Sequence, residues 1–195
     1  DSMDPFLHAS AVVDWQHPAV LARARTLRGV EDAPAAIARR CFEWVRDEIK
    51  HSGDFALSAV TCRASDVLLE GSGYCYAKSH LLAALLRANG VPAGLCYQRL
   101  ALDETGARFC LHGLNAVRLP SHGWYRGDPR GNRAGIDAQF QPPVERLAFT
   151  PTMPGEFEVP DVWPEPLAVV TDALQAHTDA RVLGQQLPDL KVATA

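Results

Sequence analysis

The sequence predicts an α+β fold, and the order of its hydrophobic patterns is the main reason. Helical patterns occupy the chain up to about Asn89, three short β-prone runs follow, and a proline-rich segment with one further helix completes the 195 residues. Because the strands follow one another instead of alternating with helices, we expect an antiparallel sheet beside a helical layer. The length lies within the usual range of one domain, which is predicted to cover residues 3–195.

Three helices are predicted before the middle of the chain. Proline is favoured in the first turn of a helix, so Pro18 is expected to begin a helix that runs to about Leu27, and Pro34 a second one. Ser65 is predicted to cap a short third helix that stops at Gly71. One face of the second helix carries Ile37, Cys41, Trp44, Val45 and Ile49.

The fourth predicted helix is the central one. It begins at Cys75, runs to about Asn89 and is closed by Gly90. Its apolar residues form two stripes, so it is expected to be covered on two faces. Lys78 and Arg87 are the cations on this helix, and both are predicted to be exposed.

The second half of the chain is predicted to hold a sheet and a wrapping tail. The runs 94–100, 111–119 and 123–128 are β-prone and separated by turn residues, which indicates antiparallel strands. Seven of the 14 prolines lie between residues 142 and 166, so this segment is expected to cross the surface in an extended form. An inert surface strap is favoured, and a cover over one end of a substrate groove is the alternative. A last helix is predicted over residues 167–183.

Composition excludes several classes of function. The chain has 19 Lys and Arg against 23 Asp and Glu, which gives a net charge of -4, and the sequence contains no basic cluster. No nucleic-acid partner is therefore expected. No apolar run approaches the roughly 20 residues that cross a bilayer, and no basic-then-apolar signal opens the chain. We therefore expect no membrane partner and a cytoplasmic location.

The cysteines and histidines do not form a metal-binding pattern. The five cysteines are an odd, scattered set that suits a reducing compartment. The seven histidines are scattered as well, with no His-Glu-x-x-His and no Cys-x-x-Cys sequence. Neither a metal nor another cofactor is expected.

Cys75 is the candidate nucleophile. A thiol at a helix N-terminus lies beside free backbone N–H groups and the positive end of the helix dipole, and both favour the thiolate. Cys41, Cys62, Cys96 and Cys110 lack this placement and are predicted to be small buried or partly buried residues.

His112 and Asp128 are the candidate partners of Cys75. Each lies eight residues from Pro120. If the chain reverses around residues 120–123, the two side chains come within a residue or two of facing each other, and the carboxylate could orient the imidazole. A thiolate, a base and an orienting carboxylate are the groups that acyl transfer needs.

Several of these segments resemble one protein family. Gly71-Ser72-Gly73-Tyr74-Cys75 and Leu85-Leu86-Arg87-Ala88-Asn89-Gly90-Val91-Pro92-Ala93 resemble the nucleophile segment of the transglutaminase-like superfamily, which includes bacterial predicted thiol peptidases. His112, Gly123-Trp124 and Asp128-Pro129 resemble its histidine and aspartate strands. The resemblance covers about residues 34–133, the core of the predicted domain.

This resemblance implies a papain-like α+β fold, with N-terminal helices and a central catalytic helix packed on the sheet. It implies Cys75 as nucleophile, His112 as general base and acid, and Asp128 as the residue that orients His112. Two departures bear on the substrate groove. Leu114 and Ala116 stand where many members carry an aromatic and an acidic residue.

The second donor for the oxyanion is the least defined part of the predicted site. The backbone N–H of Cys75 is the natural first donor. His51 stands where members often have a tyrosine and is a candidate for the second, although a solvent-facing position at the helix end is the favoured interpretation.

The predicted activity is thiol-dependent acyl transfer through a Cys75 thioester, with a peptide or protein amide as substrate. Hydrolysis is favoured, because the extra β domains and acidic calcium-binding loops of animal transglutaminases are not recognised in this sequence. Transfer to an amine, as in a protein-glutamine transglutaminase, is the first alternative. A non-catalytic scaffold of the same fold and an arylamine-acetyltransferase-like enzyme are the others, and the sequence assigns no oligomeric state.

Overall fold

The computed structural model describes residues 4–191, so residue 3 and residues 192–195 of the predicted domain lie outside it. A short 3₁₀ turn at Pro5–Leu7 precedes six helices: α1 Pro18–Arg28, α2 Pro34–Glu48, α3 Ala64–Glu70, α4 Cys75–Ala88, α5 Ala168–Ala176 and α6 Ala180–Leu183. The strands are β1 Lys50–His51, β2 Ser72–Gly73, β3 Ala93–Ala101, β4 Phe109–Leu119, β5 Gly123–Gly127, β6 Gln139–Gln141, β7 Val144–Arg146 and β8 Phe157–Glu158. Among residues 4–191, no helix has the length and apolar character needed to cross a membrane.

The first three helices lie where the sequence predicts them, with one difference at the start of α3. Arg63 occupies the cap position and Ser65 lies inside the helix, so the prediction that Ser65 caps α3 was wrong. The reason is a tertiary contact, because the hydroxyl and the backbone N–H of Ser65 both donate to the carboxylate of Asp14. Gly71 ends α3 in the left-handed conformation at φ +75°.

Helix α4 is the centre of the molecule. Every residue from Cys75 to Arg87 is buried, and the helix contacts α1, α2, α3, β3 and β4. The prediction that Lys78 and Arg87 are exposed was wrong, since they are 0% and 2% exposed. Each cation lies among backbone carbonyl groups, which replace the hydration that a buried charge would lose.

The main sheet has the strand order β5-β4-β3-β8, and all of its pairings are antiparallel. The predicted strands are present, and β3 and β4 extend beyond the predicted ranges by up to two residues at an end. A separate parallel pair joins β1 to β2. That pair connects the end of α2 to the segment that enters α4.

The proline-rich segment does more than cross the surface. It supplies β8, which pairs with β3, and a further bridge between Leu95 and Trp163. Leu147 and Val162 cover a small apolar cluster of Cys96, Leu114 and Ala116 on the sheet. The segment is therefore part of the packed structure, contrary to the expectation of an extended strap alone.

The final helix is interrupted. Residues 167–183 were predicted to form one helix, but His177 is extended and separates α5 from α6. The side chain of Asp179 accepts a hydrogen bond from the backbone N–H of Arg181 and so begins α6 as a new helix. This local cap explains the break.

Candidate active site

Cys75 is the first residue of α4, directly after β2. The turn that delivers it depends on Gly73, because a Cβ there would lie 2.8 Å from Thr61 Oγ1 and 2.9 Å from Ala77 Cβ. The Cys75 side chain is 7% exposed. Its sulfur accepts a hydrogen bond from the backbone N–H of Gly113 at 3.4 Å, so the predicted nucleophile lies against β4.

His112 lies on β4 next to Gly113, and Asp128 follows the last residue of β5. Leu119 pairs with Gly123 and Asn115 with Gly127, so the strands reverse around residue 121 instead of Pro120. This register displaces His112 and Asp128 by two residues from facing positions, within the range that the sequence predicted. The two side chains bridge that diagonal, with 2.7 Å between His112 Nε2 and Asp128 Oδ2.

Opposing effects act on the protonation of His112 and Asp128. Burial by itself lowers the pKa of His112, but the charges and hydrogen bonds of Asp128 and Cys75 outweigh it and raise the pKa to about 10. For Asp128 burial raises the pKa, yet the His112 imidazolium and the N–H groups of Ala148 and Arg130 hold it below its usual value. Near neutral pH the favoured pair is therefore imidazolium and carboxylate.

The hydrogen bond to Asp128 also assigns the two nitrogens of His112. Nε2 is engaged by the carboxylate, so Nδ1 is the nitrogen left to face Cys75, whose proximity is one of the causes that raise the pKa of His112. An imidazole held in this way can exchange a proton with the sulfur or with a group bonded to it.

The other four cysteines differ from Cys75 in their surroundings. Burial raises the pKa of Cys41, Cys96 and Cys110 to about 12 and that of Cys62 to about 11. Cys41 and Cys96 are buried, and Cys62 and Cys110 are half-buried. These positions agree with the prediction of small buried or partly buried residues.

Residues 148 and 149 cover the histidine and aspartate. The Ala148 N–H donates to Asp128 Oδ2 at 3.1 Å. The Phe149 ring stands edge-on to the His112 ring, with 5.0 Å between their centroids. The Gln98 side-chain amide holds this cover by donating to the Phe149 carbonyl. The cover comes from the proline-rich segment, which has no sequence pattern that links it to His112.

A cavity of about 550 Å³ opens beside Cys75 and His112. Its apolar lining includes Leu100, Leu102, Phe149, Met153 and Leu187, and its charged lining includes Arg130, Arg133 and Glu156 in addition to His112. Leu114 and Ala116 do not line it, since they pack in the cluster beneath Leu147 and Val162. The two departures from the family pattern therefore do not shape this groove.

His51 also lines the cavity, and its predicted solvent-facing position was wrong. Its side chain is 11% exposed, because β1 places it edge-on to the Tyr74 ring with 5.5 Å between centroids. Burial, with the nearby Arg130 charge, lowers the pKa of His51 to about 3, so the ring is neutral. Nδ1 accepts the Asp54 N–H at 3.3 Å, which leaves the proton on Nε2.

The fold and the match to known sequences define the class of this protein. The model of the transglutaminase-like superfamily matches residues 22–129, more than half of the chain. The chain belongs to this superfamily, and its α+β fold agrees with the papain-like fold that the resemblance implies. The family is one of thiol-dependent enzymes.

Comparison with one solved structure, that of the first protein below, supports the fold. A candidate cysteine protease from Cytophaga hutchinsonii is 21% identical, with a TM-score of 0.51 over 66% of this chain and 43% of that chain. The periplasmic domain of TgpA from Pseudomonas aeruginosa is also 21% identical, with a TM-score of 0.48 over 66% of this chain and 48% of that chain. The chain thus matches less than half of the length of either protein. No curated protein matches it significantly.

Proposed function

We propose that the protein is a thiol-dependent hydrolase that cleaves amide or peptide bonds through an acyl thioester on Cys75. The observation that carries this proposal is the arrangement at the start of α4. The Cys75 sulfur lies beside His112, and the far nitrogen of that imidazole is held by Asp128 at 2.7 Å. A nucleophile, a proton carrier and an orienting carboxylate are thereby within reach of one another.

In the first half of the reaction the Cys75 thiolate attacks the carbonyl carbon and the electron pair of the C=O bond moves to the oxygen. The His112 imidazolium then gives its Nδ1 proton to the leaving amine as the C–N bond breaks. Asp128 keeps Nε2 occupied and stabilises the charged ring. The product of this half is an amine and the Cys75 thioester.

In the second half water attacks the thioester. His112, now neutral, takes a proton from the water as the new C–O bond forms, and so becomes the imidazolium. The C–S bond then breaks and releases the Cys75 thiolate. The acid leaves and the thiolate and imidazolium are restored. If an amine replaced the water, the same steps would give transglutamination.

Two neutral donors are available to the oxyanion. The backbone N–H of Cys75 is at the first turn of α4, where it has no partner within the helix. His51 lines the same cavity with its proton on Nε2. Because burial keeps His51 neutral, it can donate a hydrogen bond without exchanging a proton.

Alkylation with iodoacetamide tests the role of Cys75. We expect selective reaction of Cys75 below pH 8, because the raised pKa values of the other four cysteines keep them as thiols. His112→Ala should abolish the rapid reaction, and Asp128→Asn, which keeps the shape of the carboxylate, should slow it. Mass spectrometry of the labelled peptides gives the rate at each cysteine, and circular dichroism confirms folding.

The matched control is His122→Ala, which removes an exposed histidine from the turn before β5 and should leave the rate unchanged. Equal, slow labelling of all five cysteines in the wild-type protein would refute the proposed function. A second assay separates the acceptors. Peptides containing glutamine should release acid product without incorporating a labelled primary amine, and efficient incorporation would assign transfer to an amine instead of hydrolysis.

A further inference from the structure

One part of the cavity wall is built around two arginines that share one carboxylate. Both terminal nitrogens of Arg130 bond to the two oxygens of Asp54 at 2.8 Å. Arg133 Nη1 lies farther away, at 3.4 Å from Asp54 Oδ1. Arg130 and Arg133 line the cavity together with Cys75, so this cluster belongs to the same space as the nucleophile.

The cluster has an excess of one positive charge. The cluster consists of Arg130, Arg133, Asp54 and His51. Its two guanidinium groups face the single carboxylate of Asp54, and the His51 ring is neutral. Arg130 satisfies Asp54 through a two-point contact and is only 7% exposed, whereas the Arg133 side chain is 57% exposed. Arg133 is therefore the cation that can bind a further anion.

The rest of the cavity lining differs from this positively charged cluster. It is largely apolar, with Leu100, Leu102 and Met153 among its residues. Its one acidic side chain is Glu156, whose oxygens accept the backbone N–H groups of residues 101, 152 and 153. A substrate carboxylate would be repelled by Glu156 and attracted to Arg133, so the lining favours an anionic group at Arg133 and apolar groups against its other residues.

We propose that Arg133 forms a carboxylate-binding subsite, so that preferred substrates carry a carboxylate near the scissile amide and an apolar side chain that contacts the leucines of the cavity lining. The carboxylate can be an acidic side chain or a free carboxyl terminus, since both present the same group. This proposal deepens the proposed function and rests on it.

Two alkylating reagents of similar size test the subsite without a known substrate. Iodoacetate is an anion and iodoacetamide is neutral, so the ratio of their rates at Cys75 measures the local charge. Arg133→Gln should lower this ratio about threefold, the effect of one unit charge acting through several ångströms of largely aqueous surroundings. A change in the reactivity of the Cys75 thiolate itself affects both rates and cancels in the ratio. Added salt should lower the ratio for the wild-type protein toward that of the variant.

Arg63→Gln is the matched control. Arg63 is 58% exposed and paired with Asp66 at 2.9 Å, and it does not line the cavity. Its substitution should leave the ratio unchanged. Slow reaction of Cys75 with both reagents would refute the proposed function and the subsite with it. Rapid reaction with the same ratio in wild type and Arg133→Gln would refute the subsite alone.

Peptide pairs then identify the source of the carboxylate. One pair differs in Glu against Gln beside the scissile bond, and the other in a free against an amidated carboxyl terminus. We expect the acidic member of one pair to have about fivefold higher kcat/KM, and Arg133→Gln to remove the difference. A preference for the Glu peptide would show that Arg133 binds an acidic side chain, and a preference for the free carboxyl terminus would show that it binds a terminus. Cleavage of both pairs without preference would overturn the subsite.

Discussion

A buried cation lies near each end of α4, and the two cations have different structural roles. Near the start, Lys78 donates to the carbonyl oxygens of Arg46, Ile49 and Arg130. Near the end, Arg87 donates to those of His8, Ala93 and Pro164 at 2.6–3.0 Å. Lys78 thus ties two chain segments to the central helix, the end of α2 and the loop after β5, whereas Arg87 ties three.

The segments that they hold are different. Arg130 follows Asp128 by two residues, so Lys78 fixes the loop that carries the aspartate against the helix that carries Cys75. The acceptors of Arg87 belong instead to the N-terminal segment, the start of β3 and the proline-rich segment. We infer that Lys78 positions the candidate active site, whereas Arg87 holds the periphery of the fold together.

Protonation separates the two cations as well. Burial lowers the pKa of Lys78 to about 7 and that of Arg87 to about 10. Because arginine starts from a higher value, only the cation near Cys75 titrates in the neutral range.

The largest expected effect is that of Arg87→Met on stability. Methionine fills part of the space but removes the donor of three buried or partly buried carbonyl groups, which should lower the free energy of unfolding by about 4 kcal/mol. Urea denaturation measures the loss. The folded variant should still react with iodoacetamide at the wild-type rate, because no acceptor of Arg87 lies in the loop of Asp128. A slowed reaction would contradict the division between the two ends.

Lys78→Met should lower the stability less than Arg87→Met does, and it should lower the reactivity of Cys75 more. We expect a loss of about 2 kcal/mol, because removing the buried ammonium group also removes its desolvation penalty. Without the bond to the Arg130 carbonyl, Asp128 is less firmly placed, and alkylation of Cys75 should slow about tenfold. The same two assays serve, with Arg87→Met as the control. An unchanged alkylation rate would show that the Asp128 loop does not depend on Lys78.

The pH dependence of these stability losses should differ. Between pH 7 and 10.5 the unfolded chain retains the Lys78 proton that the folded chain has lost, so this residue makes the wild-type free energy of unfolding rise with pH. The deficit of Lys78→Met should therefore grow from pH 7 to 9, by up to about 1.4 kcal/mol per pH unit.

The deficit of Arg87→Met should stay level over the same range. Both states keep most of the arginine proton there, since burial lowers the pKa of Arg87 only to about 10. The contribution of His112 is common to the wild type and Arg87→Met, whose acceptors lie away from Asp128, and cancels in that difference. If the stability deficits of the two variants changed with pH in the same way, the conclusion that only Lys78 titrates in the neutral range would be wrong.

Sequence patterns predicted the elements that carry the candidate site. The apolar stripes of α4, the glycines before Cys75 and the turn residues between strands are local signals, so the bounds of the helix and the order of the strands followed from them. His112 and Asp128 could be paired because antiparallel strands joined by a short turn bring residues at equal distances from it close together.

The errors share one physical origin. Lys78, Arg87, His51 and Ser65 each have a side chain whose environment is supplied by residues distant in sequence: backbone carbonyls, the Tyr74 ring and the Asp14 carboxylate. Hydropathy assigns such polar side chains to the surface. Whether a buried polar group is satisfied depends on which segments meet around it, and local patterns contain no information on that.

By itself, the sequence determined the family, the α+β order of elements and the identity of Cys75, His112 and Asp128 as candidate residues. Only the tertiary structure decided their spacing, the Phe149 cover, the cations at the two ends of α4 and the charge asymmetry of the cavity. Periodicity and turn chemistry act between near neighbours in the chain, whereas burial and electrostatics depend on distance in space.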